Sequence, residues 1–251
     1  MYRYFIQLSY KGTNYHGWQI QPNAISVQEV LVKAFSTILR EDIEISGAGR
    51  TDTGVHAINY IAHFNSTYQN IHLDKKFVFK LNSYLPKDIA IHNIKYVKND
   101  AHARFDAMSR TYNYYIHQEK DPFLLESSTF IPQTLDIEKM NKAANLLLDY
   151  TDFTSFSKLH TDVKTNNCKI LEAYWEQENH KLIFTIKADR FLRNMVRAIV
   201  GTLLEIGRHK ITIDDFTKII ESKDRSNAGV SVPSQGLFLS SIEYPECIFI
   251  S

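Results

Sequence analysis

The sequence has few cysteines and lacks the ligand spacings that usually bind metals. Its two cysteines, Cys168 and Cys247, lie far apart and form no C-x-x-C pair. A structural zinc site or a disulfide framework is therefore not expected. The ten histidines contain no H-E-x-x-H or comparable spacing. We therefore predict that the protein holds no metal.

Long apolar runs are missing as well. No stretch approaches the roughly 20 apolar residues that a membrane-spanning helix needs. The first residues, M-Y-R-Y-F, enter a strand pattern at once and lack the organisation of a signal peptide. The 251 residues, 44% hydrophobic and 23% charged, suffice for one large domain or two ordinary ones. These features predict a globular cytoplasmic protein that makes no contact with a membrane.

Acidic residues are absent from the first 28 positions, although the formal net charge of the whole chain is only +1. Arg3, Lys11 and His16 occur in that acid-free stretch. Between residues 187 and 210, six basic residues stand against two acidic ones. Local basic surfaces of this kind suit RNA phosphates without requiring an extreme isoelectric point. For any one of these residues, an ordinary solvated helix face remains the alternative.

Hydrophobic periodicity predicts alternating strands and helices along the whole chain. In the first half, the predicted strands are 2–10, 43–47, 56–65 and 89–97, and the predicted helices are one opened by a Ser26–Glu29 capping box and one at 74–84. In the second half, the predicted strands are 110–117, 169–178, 182–188 and 236–243, and the predicted helices are one capped by Asp136, one at 191–206 and one at about 214–222.

The order β-α-β-β-α-β is that of a ferredoxin-like unit, and a similar order recurs in the second half. We therefore predict an α+β protein of two ferredoxin-like halves, residues 1–100 and 101–251, with mostly antiparallel sheets that flank a central basic cleft.

The segment Ser46–Ala57, S-G-A-G-R-T-D-T-G-V-H-A, does not fit an apolar core. Its three glycines allow close approach of a partner, and between them lie Arg50, Thr51 and Asp52. Strand-like alternation on both sides predicts a loop between two strands, where a rigid scaffold can hold a reactive side chain. The spacing matches neither G-x-G-x-x-G nor a P-loop. A simple charged turn would rarely combine three glycines with an Arg-Thr-Asp run.

Two segments of the second half also contain candidate functional side chains. In the strand 110–117, Tyr112 shares a face with Tyr114, although tyrosines in strands often complete a core. In the predicted helix 191–206, Arg193 and Arg197 lie with Arg190 within an arc of about 60° beside the apolar face. An arginine at that border could pair with a buried carboxylate through its planar fork, or it could extend to solvent.

Motifs along nearly the whole chain resemble those of the tRNA pseudouridine synthase A family, in the same order. They are Y-K-G-T-N-Y-H-G-W-Q (10–19), G-A-G-R-T-D-T-G-V-H-A (47–57), A-H-A-R-F (101–105), R-T-Y (110–112), F-L-R-N-M-V-R-A-I-V-G (191–201) and A-G-V-S-V-P-S-Q-G-L-F-L (228–239). The chain departs from the usual family pattern at Thr53, where Ala is common, and at Ser231, where Thr is common.

This resemblance implies roles for four residues. Asp52 would be the catalytic carboxylate and nucleophile, Tyr112 would stack on the target base as a candidate general base, and Arg197 would pair with Asp52. Leu237 would pack against the target base. Further candidate substrate-binding residues are Lys11, Tyr15, His16, Trp18, Arg50, Thr51, Arg104, Arg190 and Arg193. An ordinary aspartate is already ionised at neutral pH, so this chemistry demands no metal or organic cofactor.

The activity implied by the resemblance is isomerisation of uridine to pseudouridine in tRNA. The usual family targets are positions 38, 39 and 40 of the anticodon arm, and the usual state is a homodimer. A non-catalytic RNA-binding protein built from tandem ferredoxin-like units is the alternative, but it would leave Asp52 beside RNA phosphates without a purpose. A nucleoside hydrolase would be expected to have an Asp-rich metal cluster, which the sequence lacks.

Overall fold

The computed structural model describes residues 1–158 and 165–250. Within these residues the chain forms five α-helices and nine strands, the α+β composition that the sequence predicts. The helices are α1 (Val27–Leu39), α2 (Lys75–Tyr84), α3 (Ile137–Leu146), α4 (Met195–Gly207) and α5 (Ile213–Ser222). The strands are β1 (Tyr2–Tyr10), β2 (Ile45–Gly47), β3 (His56–Ser66), β4 (Ile89–Val97), β5 (Ser109–His117), β6 (Thr129–Phe130), β7 (Ile170–Glu178), β8 (Lys181–Ala188) and β9 (Leu237–Glu243).

Backbone contacts divide the chain into two units. The first unit contains Met1–Met108 together with the residues from Leu239 onward, and the second contains Ser109–Phe238. The chain therefore leaves the first unit after residue 108 and returns to it within β9. The predicted division into 1–100 and 101–251 stays a prediction about folding domains.

The first unit has the strand arrangement of a ferredoxin-like sheet. Its strands lie in the order β4-β1-β3-β2, and every neighbouring pair is antiparallel. The predicted order β-α-β-β-α-β is confirmed for this unit. In β1, the side chains of Tyr4, Ile6, Leu8 and Tyr10 are all buried. This sheet matters for function because the loop that contains Asp52 joins its two strands β2 and β3.

Helix α1 begins where the sequence predicts. The Ser26 hydroxyl accepts the backbone N–H of Glu29 at 3.2 Å, so one of the N–H groups that lack an intrahelical partner is satisfied. Val27, Leu31 and Phe35 form part of the buried face of the helix. The helix ends at Arg40, which takes a left-handed backbone conformation (φ 56°) and so cannot continue a right-handed helix.

The second unit repeats much of this arrangement. Its strands lie in the order β5-β8-β7, with both pairs antiparallel, and the short strand β6 pairs in parallel with β5. Strands β7 and β8 form the predicted hairpin across residues 179–180. Asn179 has φ 54°, a conformation that asparagine tolerates and that tight hairpin turns require.

The predicted start of helix α4 is wrong. The helix begins at Met195 rather than at residue 191, because Asn194 has a left-handed backbone (φ 66°) that a right-handed helix cannot contain. Arg190 and Arg193 therefore precede the helix, and the common arc with Arg197 does not exist. The apolar face of this segment is buried, at positions 192, 195, 196, 199, 200, 203 and 204.

One of the two buried histidines of β3, His63, predicts a pH dependence of stability. His63 is 6% exposed, and its Nδ1 accepts the backbone N–H of Ala103 at 3.2 Å. Burial, followed by the nearby His102 and Arg3, lowers the pKa of His63 to about 4. Because an unfolded histidine has a pKa of about 6.5, the unfolded chain binds more protons between these two values, so stability is lost as the pH falls from 6.5 to 4.

We expect the melting temperature of the wild type to fall more steeply between pH 7 and pH 5 than that of His63→Gln, which has no titrating group at this position. Thermal unfolding followed by circular dichroism at both pH values measures the difference. Parallel pH dependence in the two proteins would contradict this explanation.

Candidate active site

The loop that contains Asp52 is a tight connection between β2 and β3. The backbone N–H of Val55 donates to the Asp52 carbonyl at 3.1 Å, and Gly54 takes a positive φ of 77° to complete the turn. Thr51 and Val55 are buried on either side, whereas Asp52 is half-buried and Arg50 is exposed. The loop therefore anchors its backbone inside the unit and leaves the carboxylate partly accessible.

The N-terminal loop at residues 11–19 packs directly on the Asp52 loop. The backbone N–H of Trp18 donates to the Thr51 carbonyl at 3.3 Å. In addition, the backbone N–H of Gly12 donates to His56 Nδ1 at 2.9 Å. A Cβ on Gly17, which has φ +88°, would lie 2.3 Å from the Thr51 carbonyl oxygen. The two loops, about forty residues apart in sequence, thus form one hydrogen-bonded structure in which glycine allows the close approach.

Three aromatic side chains pack against one another and bind the Asp52 loop. Trp18 stacks on Tyr60 with a centroid distance of 4.1 Å, and Tyr10 meets the edge of Tyr60 at 5.6 Å. The hydroxyl of Tyr10 lies 2.8 Å from the Thr51 hydroxyl, and that of Tyr60 donates to the Gly49 carbonyl. Aromatic pairs of this kind contribute about 0.5–1.5 kcal/mol each beyond burial. They hold the part of the loop that directly precedes Asp52.

The predicted substrate-binding residues of the N-terminal loop differ in exposure. Tyr15 and Trp18 are only 5% and 3% exposed, whereas Lys11 and His16 are exposed. The hydroxyl of Tyr15 donates to Asp88 Oδ1 at 2.6 Å, and burial together with this carboxylate raises the pKa of Tyr15. Tyr15 and Trp18 therefore anchor the loop from within, and Lys11 and His16 are the side chains that face solvent.

In the second unit, Tyr112 lies on β5 opposite Ile186 of β8. Its ring is half-buried and meets that of Phe191 edge-on, with a centroid distance of 5.1 Å. Tyr114, two residues further on the same strand, is completely buried, as expected of a packing residue. The Tyr114 hydroxyl donates to the Pro233 carbonyl at 2.8 Å, so this side chain connects the strand to the loop that leads into β9.

Arg197, on helix α4, is hydrogen-bonded to the same loop, which comprises residues 228–236. Its Nε donates to the Val232 carbonyl at 2.7 Å, and the Val232 N–H donates to the Arg197 carbonyl at 3.2 Å. A Cβ on Gly201 would lie 1.9 Å from the Val230 carbonyl oxygen, so α4 and the loop are in backbone contact. Ser231, where the family usually has Thr, accepts a hydrogen bond from Asn194 Nδ2 at 2.6 Å.

The remaining predicted residues lie in different surroundings. Leu237 is 6% exposed at the start of β9, and Arg193 is exposed. Arg190 is half-buried, and its Nη1 donates to the Thr165 carbonyl at 3.4 Å. Arg104 lies in the turn bonded through Ala103 to His63 of β3, two residues from Ile61, whose carbonyl accepts the backbone N–H of Ala48 at the start of the Asp52 loop.

Sequence patterns did not identify several residues that position the candidate site. Tyr10 and Tyr60 have the appearance of ordinary strand residues, and the αL conformation of Asn194 has no unambiguous local signal. Gly12 suggests that another segment approaches the backbone closely at this position, but the sequence does not identify that segment. Their partners become evident only in the folded chain, because each contact joins distant segments.

In the part of the chain that the structure describes, no group of three or more His, Cys, Asp or Glu side chains is arranged to hold a metal ion. No helix among the described residues has the length and apolar character to cross a bilayer.

The fold and loop define a class of protein: an α+β chain with a half-buried aspartate on a rigid loop between antiparallel strands. The family model described as tRNA pseudouridine synthase matches residues 7–106 and 143–245. The chain is similar to proteins named tRNA pseudouridine synthase A from Bacteroides fragilis (59% identical, 98% of each chain), Porphyromonas gingivalis (53%, 100% of each chain) and Acetivibrio thermocellus (41%, 94% of this chain and 97% of the relative). The chain belongs to the tRNA pseudouridine synthase family.

Proposed function

We propose that this protein isomerises uridine to pseudouridine in tRNA, with Asp52 as the catalytic carboxylate. The observation that carries the proposal is the family match, which covers the Asp52 loop and the two strands that it joins, β2 and β3. The geometry of the loop supports the same role. Its backbone is held by Val55 and Trp18, and the carboxylate of Asp52 stays partly accessible.

The reaction breaks the bond between N1 of uracil and C1′ of ribose and forms a bond between C5 and C1′. A proton leaves C5, and N1 gains one, so atoms balance without an oxidant or a cofactor. Asp52 assists the departure of uracil either by attacking C1′ or by promoting elimination on the sugar. Tyr112 stacks on the base and is the candidate acceptor of the C5 proton.

The other roles in this proposal belong to residues of both units. Arg197 pairs with Asp52, and Leu237 walls the base. RNA is bound by Arg50 and Thr51 beside the aspartate and by the further substrate-binding candidates named from the sequence. These are Lys11, Tyr15, His16, Trp18, Arg104, Arg190 and Arg193. The targets in this proposal are uridines 38, 39 and 40 of the anticodon arm, modified in the cytoplasm by a homodimer.

The test uses unmodified tRNA whose uridines contain tritium at C5. Because C5 loses its hydrogen during the isomerisation, pseudouridine formation releases tritium into water, and no ordinary binding protein does so. We expect release with the purified wild-type protein and no added cofactor. Transcripts with cytidine at positions 38, 39 or 40 then identify the target. Tight tRNA binding without tritium release would favour the non-catalytic alternative.

Substituting Arg197 should impair turnover even when the charge is kept. In Arg197→Lys, the Nε–H donor to the Val232 carbonyl is lost, and a point charge replaces the planar fork. A hydrogen bond from a charged group is worth about 1.5–3 kcal/mol, so we expect kcat to fall about 10- to 100-fold. The matched control is Arg208→Lys at the end of the same helix, where Arg208 pairs with Glu205 at 3.0 Å.

Lysine keeps the positive charge beside Glu205, and Arg208 has no proposed role in the site, so the control should keep nearly full activity. Equal kcat values for Arg197→Lys and the wild type would show that Arg197 has no role in the reaction.

A further inference from the structure

An aromatic side chain outside the candidate active site is displayed to solvent. Phe105, in the turn at residues 101–106, is 74% exposed. The ring of His102 lies 4.3 Å from that of Phe105, centroid to centroid, and the Arg104 guanidinium lies over the same ring at 5.7 Å. The exposed phenyl ring thus has an imidazole and a guanidinium as neighbours.

The turn that presents Phe105 is held by its own hydrogen bonds. The backbone N–H of His102 donates to Asp106 Oδ2 at 2.7 Å, and the Asp106 N–H donates back to the His102 carbonyl at 3.0 Å. The Arg104 N–H donates to His102 Nδ1 at 3.1 Å, and the Ala103 N–H bond to β3 fixes the turn on the sheet. The ring of Phe105 therefore extends from a preorganised support, which reduces the entropy lost when a partner binds.

We propose that Phe105, with His102 and Arg104 behind it, stacks on an unpaired nucleobase of the tRNA, an inference that rests on the proposed function. Every base has a flat π face, so an exposed ring can bind RNA without reading its sequence. The charges around the turn favour a polyanion. Two guanidinium groups lie at the turn and can contact phosphates: that of Arg104 and that of Arg3, whose Nη1 donates to the Ala101 carbonyl at 3.0 Å.

The location of the turn determines which kinetic parameter should change. Ala103 is bonded to His63, seven residues along β3 from His56, the residue that follows the Asp52 loop. A stack on a base other than the target uridine takes no part in the bond changes, so it stabilises bound substrate and transition state equally. Its loss therefore raises KM and leaves kcat unchanged.

The first test compares two phenylalanines of equal exposure. Phe105→Ala should raise the KM and the Kd for tRNA about tenfold, as expected for one lost base–aromatic stack. Because stacking releases no counterions, the slope of log Kd against log salt should stay the same. The control is Phe79→Ala on α2, where the side chain is 73% exposed, and it should leave the KM unchanged.

A second variant reports the contact directly. Both natural tryptophans, Trp18 and Trp175, are 3% exposed, so Phe105→Trp adds a solvent-exposed indole with distinct emission. We expect this variant to keep the wild-type KM and its new emission to be quenched on addition of tRNA. Phe79→Trp should show no such quenching.

Three outcomes would overturn the inference. They are an unchanged KM for Phe105→Ala, emission from Phe105→Trp that tRNA does not alter, or a changed oligomeric state with unchanged tRNA affinity. The last outcome would assign Phe105 to an interface between copies of the chain. Failure of the proposed function is distinguishable, since it would appear as missing tritium release in the wild type, whereas the quenching experiment requires only binding.

Discussion

Asp52→Asn should abolish pseudouridine formation while tRNA binding survives. We expect the rate of tritium release to fall at least about 10³-fold, the scale of losing a group that acts on the reacting atom. The two side chains have nearly the same shape, so the backbone bond from Val55 to position 52 should remain. Because a negative charge near the phosphates is removed, the Kd for tRNA should stay the same or decrease slightly.

A matched variant separates this effect from a general loss of charge. Asp42→Asn removes one carboxylate from an exposed position of the same unit and should leave the rate unchanged. Single-turnover rates and filter-binding affinities measured for both variants would show whether only Asp52 affects chemistry. Substantial residual pseudouridine formation by Asp52→Asn would refute the carboxylate role.

Gly12→Ala should damage the site without touching any residue with a proposed chemical role. A Cβ at position 12 would lie 2.0 Å from the Val55 carbonyl oxygen, 2.7 Å from its carbon and 3.1 Å from the Gly54 carbonyl carbon. All three atoms belong to the backbone of the Asp52 loop, so the methyl group must displace that loop. Misplacement by about 1 Å costs about 10²-fold in rate, and forced overpacking costs about 1–3 kcal/mol in stability.

Gly49→Ala is the control from the same loop, since nothing lies within 4 Å of a Cβ at position 49. It should leave kcat near the wild-type value and the melting temperature unchanged or slightly higher. The comparison requires kcat from tritium release and melting temperatures for both variants. If the two glycine variants behaved alike, tight packing between the N-terminal loop and the Asp52 loop would not be what positions the site.

Local patterns in the sequence predicted most of the secondary structure for identifiable reasons. Ser26 supplies an oxygen that caps α1, and the burial of every second residue from Tyr4 to Tyr10 follows from the period of two in a strand. The start of α4 could not be predicted in the same way. Its apolar spacing continues N-terminally to residue 192, and only the backbone of Asn194 shows that the helix has not yet begun.

The exposure of candidate site residues was harder to predict than their location in the sequence. Trp18 lies in a polar stretch, which suggests contact with solvent or RNA, yet its ring is buried against Tyr60. Phe105 is apolar and yet largely exposed. Burial depends on which distant segments pack on a side chain, and no local pattern contains that information.

The sequence alone determined the α+β class, the order of the elements in the first unit and the loop that presents Asp52. These features follow from periodicity, capping and turn chemistry, all of which act within a few residues. Only the tertiary structure decided how the N-terminal loop, Tyr10 and Tyr60 hold that loop, and how Val232 engages Arg197. Such contacts join residues about 10 to 50 positions apart, so strand register and packing, rather than local preference, select them.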